Sequence, residues 1–209
     1  LRTPLNAIIG FSEIMMNETF GKLGSDKYGE YLGDIHLSAR HLLEIINEVL
    51  DMSKIEAGRV DLDEQPYVIR DLLISVTRMM TSRAMSSKVE MDCDIEENLP
   101  GLVSDPRLIR QVFINLVSNA IKFSKESGTV YIRAFMQNDG DMVVTVQDEA
   151  IGIPEDKIQE ALEPFGQITD SQHAKEQQGT GLGLPLAKAM VELHGGTLGL
   201  TSSPEKGKT

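Results

Sequence analysis

Three polar clusters follow one another in the chain: Asn115-Leu-Val-Ser-Asn119-Ala-Ile-Lys122-Phe123, Asp148-Glu-Ala150-Ile-Gly152-Ile153 and Gly179-Thr180-Gly181-Leu182-Gly183-Leu184. At about one hundred degrees per residue, a helix opened by Asp105-Pro106 aligns Gln111, Asn115, Asn119 and Lys122 in one stripe. That stripe edges an apolar face of Leu108, Val112, Phe113, Leu116, Val117 and Ala120. An amide oxygen is a hard ligand suited to Mg2+, and a lysine can approach a phosphate. The plainer reading is a set of amides that border a core and bond to solvent or backbone. Asp148 follows the strand Val143-Val144-Thr145-Val146, where its carboxylate could accept a hydrogen bond from the exocyclic amine of adenine. Gly152 would let the backbone come close to that base, although an ordinary turn explains the same residues. The third cluster opens a helix carrying Leu186, Met190 and Leu193, so its amides and the helix dipole could receive phosphates. It is neither a P-loop nor a dinucleotide fingerprint: no Lys-Ser or Lys-Thr pair follows the glycines, and no strand leads into them. Singly the clusters are weak; in this order they describe a nucleotide site.

The remaining candidates carry less. Thr169 to Gln178 is polar with hardly an apolar anchor and reads as a mobile lid over the third cluster. His36 and His41 share no helix face, His173 falls in the lid, and His194 closes a helix at a C-terminal position that suits a cation. None of the four forms a metal constellation. Cys93, the single cysteine, lies in the alternating run Val89 to Ile95 and is expected as a buried core thiol.

A net charge of -12 over 209 residues argues against a nucleic-acid groove and against an anionic membrane surface. No apolar run is long enough to cross a bilayer and no signal peptide is present, so this fragment reads as cytoplasmic, the full-length protein being open to membrane anchoring through upstream segments. The chain starts at Leu1 and stops soon after an expected strand, as though trimmed at both ends.

Two kinds of element must position these residues. From Ser25 to about Glu56, Ile35, Leu42, Ile45, Val49 and Met52 recur at threes and fours, with Leu43, Ile46 and Leu50 widening the stripe. A shorter helix from Pro4 to about Thr19 precedes it, separated by Gly21 to Asp26. Such a hairpin buries too little alone, and either a second copy completes a four-helix bundle or the hairpin packs on its own chain; the copy is the expectation. Residues 1–60 form this hairpin domain and residues 61–209 a second domain of mixed elements. In the latter, helices are expected from Val68 to Ala84, from Asp105, from Pro154 to Leu162 and from Gly183 to Leu193. Strands are expected over Val89 to Ile95, over Thr129 to Met136 and Met142 to Gln147 as a hairpin around Asn138-Asp-Gly140, and over Thr197 to Thr201. The uneven mixture favours an α+β two-layer sandwich over a doubly wound sheet.

With these residues in view, the chain resembles the two-component sensor histidine kinases. Leu1-Arg-Thr3-Pro4-Leu-Asn-Ala is similar to the stretch just after the phospho-acceptor in their dimerisation and phosphotransfer domain. Asn115 to Phe123 resembles their N box, Asp148 to Ile153 the first glycine box, Glu163-Pro-Phe165-Gly166-Gln the F box and Gly179 to Leu184 the second glycine box. The Gly-Leu-Pro-Leu186 run and Glu-Leu-His-Gly-Gly196 resemble alphaproteobacterial cell-cycle sensor kinases of the PleC and DivJ type. The resemblance implies a Bergerat-type (GHKL) α/β sandwich that binds ATP, joined to a homodimeric helical hairpin. It implies that Asn119, with Asn115, holds Mg2+, that Lys122 meets phosphate, that Asp148 reads adenine, and that Gly179, Gly181 and Gly183 shape a lid hinge. Phe123, Gly152, Ile153, Phe165, Thr180 and Leu182 join the nucleotide-binding set as members of these boxes. The γ-phosphate would pass to a histidine and then to an aspartate on a response-regulator receiver domain, and Thr3 matches a position that in some members helps water attack that phosphoaspartate.

Two departures stand out. The family's acceptor histidine and its neighbouring acidic residue come directly before Leu1, so the chain as written cannot autophosphorylate, and Pro4 would be a kink inside a longer helix rather than a start. Ala150 stands where the first glycine box has Gly; a Cβ there would cost roughly 1 kcal/mol if φ were positive and nearly nothing otherwise. The expectation is a kinase core, the alternative being a pseudokinase scaffold that keeps the fold and acts by binding partners. Signal, cognate regulator and the balance of kinase to phosphatase activity are not written in these residues.

Overall fold

The structure is a computed structural model that describes residues 2–150, 152–166 and 179–203. The expected lid from Thr169 to Gln178, His173 and the terminal Glu205 to Thr209 lie outside the described residues. The chain divides into two compact units, Leu1–Glu56 and Ala57–Thr209.

The first unit is the expected hairpin: α1 (Arg2–Met16) packs against α2 (Asp26–Glu56). Pro4 sits inside α1, which has begun by Arg2. Among the described residues Leu5, Ser12 and Ala39 are buried, while Ile8, Phe11, Ile35, Leu42 and Val49 stay exposed. Ser12 Oγ donates to the Ile9 carbonyl at 2.8 Å and so meets His36 Nδ1, 3.0 Å away on α2, as an acceptor. Gly58 follows α2 at a φ of 61°, the left-handed conformation that ends a helix.

In the second unit β1 (Gln65–Tyr67) leads into α3 (Ile69–Ser86), then β2 (Glu90–Ile95), β3 (Leu102–Ser104) and α4 (Pro106–Phe123). The hairpin β4 (Thr129–Met136) and β5 (Met142–Gln147) follows, turning at Gly140 with a φ of 95°. A 3-10 turn at Glu155–Lys157 runs into the short α5 (Ile158–Ala161), and α6 (Gly183–Leu193) is the last helix described. The sheet has order β2-β4-β5, parallel then antiparallel, with Ile132 opposite both Cys93 and Val146. A small antiparallel pair, β1 with β3, stands apart from it. The inner residues of β4, Val130, Ile132 and Ala134, are buried under Leu73, Val76, Val117 and Ile121 of α3 and α4. This is the α+β sandwich the mixture of elements suggested, with α4 between α3 and α6.

Two expectations fail. Cys93 is exposed: β2 is an edge strand of the described sheet, and although Cys93 alternates with Met91 and Ile95, its thiol stays open beside Thr77 Oγ1 of α3 at 3.8 Å. Thr197 to Thr201 keeps the alternation of a strand but joins no ladder among the described residues. A strand is defined by its neighbour's hydrogen bonds, and here Ser202 instead accepts the Ile153 N–H through its hydroxyl, at 2.7 Å.

Asp105 anchors the helix that matters most. Its carboxylate caps α4 by accepting Arg107 N–H at 3.0 Å, takes the Arg107 guanidinium at 2.8 Å and accepts Asp63 N–H at 3.2 Å. Its own N–H donates to His194 Nε2 at 3.2 Å, while His194 Nδ1 donates to the Met190 carbonyl at 2.7 Å. Both ring positions are therefore fixed in the neutral tautomer, and His194 is a clasp between the start of α4 and the end of α6 rather than a cation on a helix end.

Candidate functional site

The polar stripe of α4 is real, and its members differ in what they do. Asn115, 9% exposed, accepts Gln111 Nε2 at 2.9 Å and donates to the Gly183 carbonyl at 3.2 Å. It thereby ties α4 to the first residue of α6. One turn on, Asn119 is half-buried and makes no hydrogen bond through its amide among the described residues. A Cβ at Gly183 would lie 3.6 Å from Asn119 Nδ2, and one at Gly179 would lie 3.0 Å from Lys122 Nζ. Bare glycine backbone thus faces the two unspent polar groups of the stripe.

Lys122 is half-buried, with its ammonium 5.1 Å from the centroid of the Phe123 ring. Burial, and secondarily the positive charge of Arg83 at the end of α3, lowers its pKa below the ordinary lysine value. Two cations near one another with a glycine-rich turn beside them make a corner that an anion would relieve.

The glycine requirement of the third cluster comes from the F-box segment. Gly181 has a φ of 71°, and a Cβ there would sit 2.8 Å from the Phe165 carbonyl carbon. The Phe165 N–H donates to the Gly181 carbonyl at 3.0 Å, and Phe165 itself is left-handed at a φ of 64° and 62% exposed. A non-glycine residue held there is strained by roughly 1 kcal/mol or more. Thr180 Oγ1 accepts Leu182 N–H at 3.1 Å, turning the chain into α6, and Leu182 is buried at 1% exposure.

At the other end, Asp148 is 8% exposed and its Oδ1 accepts the Ala150 N–H at 3.1 Å. The left-handed glycine of this cluster is Gly152, at a φ of 79°, whereas Ala150 is outside the positive-φ region. Ala150 pairs with Ser124 across an isolated antiparallel bridge. The backbone penalty considered for Ala150 therefore does not arise. Thr3 is exposed on the first turn of α1, within the hairpin unit.

Among the described residues no group of three or more His, Cys, Asp or Glu could hold a metal. An amide oxygen is a hard ligand that suits Mg2+. The Asn119 amide, which makes no hydrogen bond among the described residues, the half-buried Lys122 and the glycine backbone beside them fit a Mg-nucleotide. What sequence reasoning missed is the cross-chain geometry: the Asn115 tie to Gly183, the Phe165 contact with Gly181 and the Ser124 pairing with Ala150. None has a local signature.

Comparison with known proteins identifies both units. Residues 104–209 match the model of the histidine kinase-, DNA gyrase B- and HSP90-like ATPases, and residues 1–58 match the His Kinase A (phospho-acceptor) domain. The non-motile and phage-resistance protein of Caulobacter vibrioides is 46% identical over all of this chain, which spans 25% of that protein. The cell-division control histidine kinase PdhS of Brucella abortus is 41% identical over 99% of this chain and 21% of its own length. The chain thus spans a quarter or less of these relatives. Among solved structures, full-length ShkA in complex with AMPPNP has a TM-score of 0.77 at 29% identity, over 93% of this chain and 39% of that one. Histidine kinase ThkA in complex with the response regulator TrrA has a TM-score of 0.64 at 24% identity, over 93% of this chain and 52% of that one, a likeness of fold. With an ATPase unit of this kind following a His Kinase A hairpin, the chain belongs to the histidine kinases.

Proposed function

We propose that this chain is the core of a sensor histidine kinase that binds Mg-ATP in its second unit and works with a phospho-acceptor histidine placed before Leu1 in the longer protein. The carrying observation is the junction of α4 with the start of α6, where the Asn115 tie to Gly183 brings Asn119 and Lys122 against glycine backbone. Bound Mg-ATP would supply the transferable γ-phosphoryl group and its charge-neutralising cation. Asn119 carries the metal ligation, because the Asn115 amide is engaged at both ends and positions instead. Lys122 and the amides opening α6 meet phosphate charge, which outweighs the burial cost that lowers the Lys122 pKa. Asp148, held by Ala150 N–H, accepts from the adenine amine, with Gly152 and Ile153 beside the base and Phe123 and Phe165 flanking the opening. Gly179, Thr180, Gly181, Leu182 and Gly183 form the turn over the phosphates.

The partners follow from the first unit. The exposed seam of Ile35, Leu42 and Val49 on α2 suits a second copy of the hairpin, giving a dimeric four-helix bundle. An aspartate on a response-regulator receiver domain receives the phosphoryl group, and Thr3 serves the reverse hydrolysis. Neither nucleic acid nor a membrane surface is a partner for this acidic fragment, which works in the cytoplasm; the described helices include none long and apolar enough to cross a bilayer.

Titration calorimetry with Mg-ATP tests the reading. The parent chain binds, and Asn119→Ala loses binding by about 100-fold or more, as expected for removal of a charge-linked ligand. No binding by the parent overturns the assignment.

A further inference from the structure

Helix α6 is tied to α4 at both of its ends. At its start the Gly183 carbonyl accepts Asn115 Nδ2 at 3.2 Å, and at its close His194 Nε2 accepts the Asp105 N–H at 3.2 Å. From Asp105 to Asn115 and from Gly183 to His194 the helices rise by nearly the same amount, roughly 15 Å. The two therefore run antiparallel, with the buried Leu186, Ala187 and Met190 of α6 lying between the ties. Apolar contacts are non-directional, and packed helices slide past one another in small shear motions. Two hydrogen bonds at separated points remove that freedom, because a shift of about 1 Å along the axis strains both.

His194 can act as a fixed point because everything around its ring is held. Nδ1 donates to the Met190 carbonyl at 2.7 Å, which leaves Nε2 with a lone pair and no proton. The chain then leaves the helix through Gly195 at a φ of 76°, with the Gly195 and Gly196 N–H groups donating to the Glu192 and Val191 carbonyls at 2.9 and 3.0 Å. On the facing side Asp105 is fully buried and bound to Arg107 and Asp63. What the position of α6 sets is the glycine turn ahead of it, where Gly183 lies against Asn119 and Gly179 against Lys122.

We propose that His194 is a positioning residue for the nucleotide site: by clasping Asp105 it sets the axial register of α6, and so holds the glycine turn at the distance from Asn119 and Lys122 that the Mg-triphosphate needs. It touches neither nucleotide nor metal. This inference rests on the Mg-ATP reading above and adds to it a residue at the far end of the helix.

The test compares His194→Phe, which keeps a ring and loses both nitrogens, with His194→Gln, whose side-chain oxygen reaches the place of Nε2 and keeps the acceptor. Calorimetry with Mg-ATP is run on the full chain at a temperature where circular dichroism shows each variant folded. His194→Phe should bind about three- to tenfold more weakly than the parent, up to the worth of the hydrogen bond lost, and His194→Gln should recover most of that loss. His194→Ala takes the place of His194→Phe if the larger ring prevents folding. Parent-like affinity in the folded removal variant, whatever its thermal midpoint, overturns the proposal, leaves the ATP site standing and gives His194 a role in stability alone. Equal losses in the Gln variant and the removal variant overturn it as well, since the clasp would then not be what matters. A parent that binds no Mg-ATP takes down the ATP reading and this inference with it.

Discussion

The two units bury their apolar residues to very different degrees. In the second, Ile69, Leu73, Val76, Val117, Ile121, Val130 and Ile132 are all at 1% exposure or less, a core closed by α3, α4 and the sheet. In the first, a 31-residue helix has one buried residue, Ala39, while Ile35, Leu37 and Leu42 stand 47% or more exposed. Both sequences are amphipathic, so the difference lies in topology: a sheet with helices over it encloses an interior, whereas two helices have a second side. One unit closes a core among its described residues, and the other leaves an apolar seam exposed, which the proposed second copy would cover.

The sharpest way to break that contrast is to charge the hairpin seam. Ile35→Asp with Leu42→Asp places two carboxylates where the proposed second copy packs, and dimer dissociation is expected to rise by on the order of 100-fold or more. Analytical ultracentrifugation of parent and variant reads it directly, with calorimetry showing ATP affinity unchanged. A parent that sediments as a monomer at high concentration would mean the exposed seam serves another surface.

The closed unit should respond to its own anchor. The Arg107 guanidinium, with Asp63 and Arg107 backbone N–H groups assisting against burial, holds the Asp105 carboxyl at about 2. A depressed carboxyl pKa means stability that is fully present above the unfolded value near 4 and is lost as pH falls from there through about 2. Because Arg107 is 70% exposed and solvent screens its charge, about 1–2 kcal/mol is at stake rather than the full shift. Urea unfolding of Asp105→Asn should show less acid dependence than the parent over that interval. Asp105→Ala, which also loses the helix cap, should be less stable by about 1–3 kcal/mol at neutral pH. Equal acid profiles for parent and Asp105→Asn would remove Asp105 as the anchor.

How much of this was legible in the sequence depended on the range of the interaction. Elements whose signal is local came through: the Asp105-Pro106 helix start, the Asn138-Asp-Gly140 turn and the period of α2. So did the stripe from Gln111 to Lys122, since three- and four-residue spacing is itself a local geometry. What periodicity cannot tell is which strand lies at an edge, and Cys93 was misplaced for that reason. Nor can it tell whether an alternating run finds a ladder, as Thr197 to Thr201 does not among the described residues. In the site, the residue types and their order were readable, but their division of labour was not. Asn115 and Asn119 look alike in sequence, and one is engaged by Gln111 and Gly183 while the other is not. The neutral clasp of His194 depends on a backbone N–H donated by Asp105, 89 positions earlier in the chain.

Ala150 gives the finest test of the closed unit, and the smallest effect. Restoring Gly relieves no backbone strain, because the left-handed position of that cluster is Gly152 at a φ of 79° and Ala150 is outside the positive-φ region. The substitution instead removes a buried methyl and frees the unfolded backbone, each disfavouring the folded state. Ala150→Gly should therefore lower stability by about 0.5–1.5 kcal/mol in urea. Its nucleotide affinity should not rise, since the Asp148 carboxylate keeps the N–H at position 150 that orients it. A tighter complex with Gly would show that the methyl crowds the base, and a more stable apo protein would show strain at a residue whose conformation gives no reason for it.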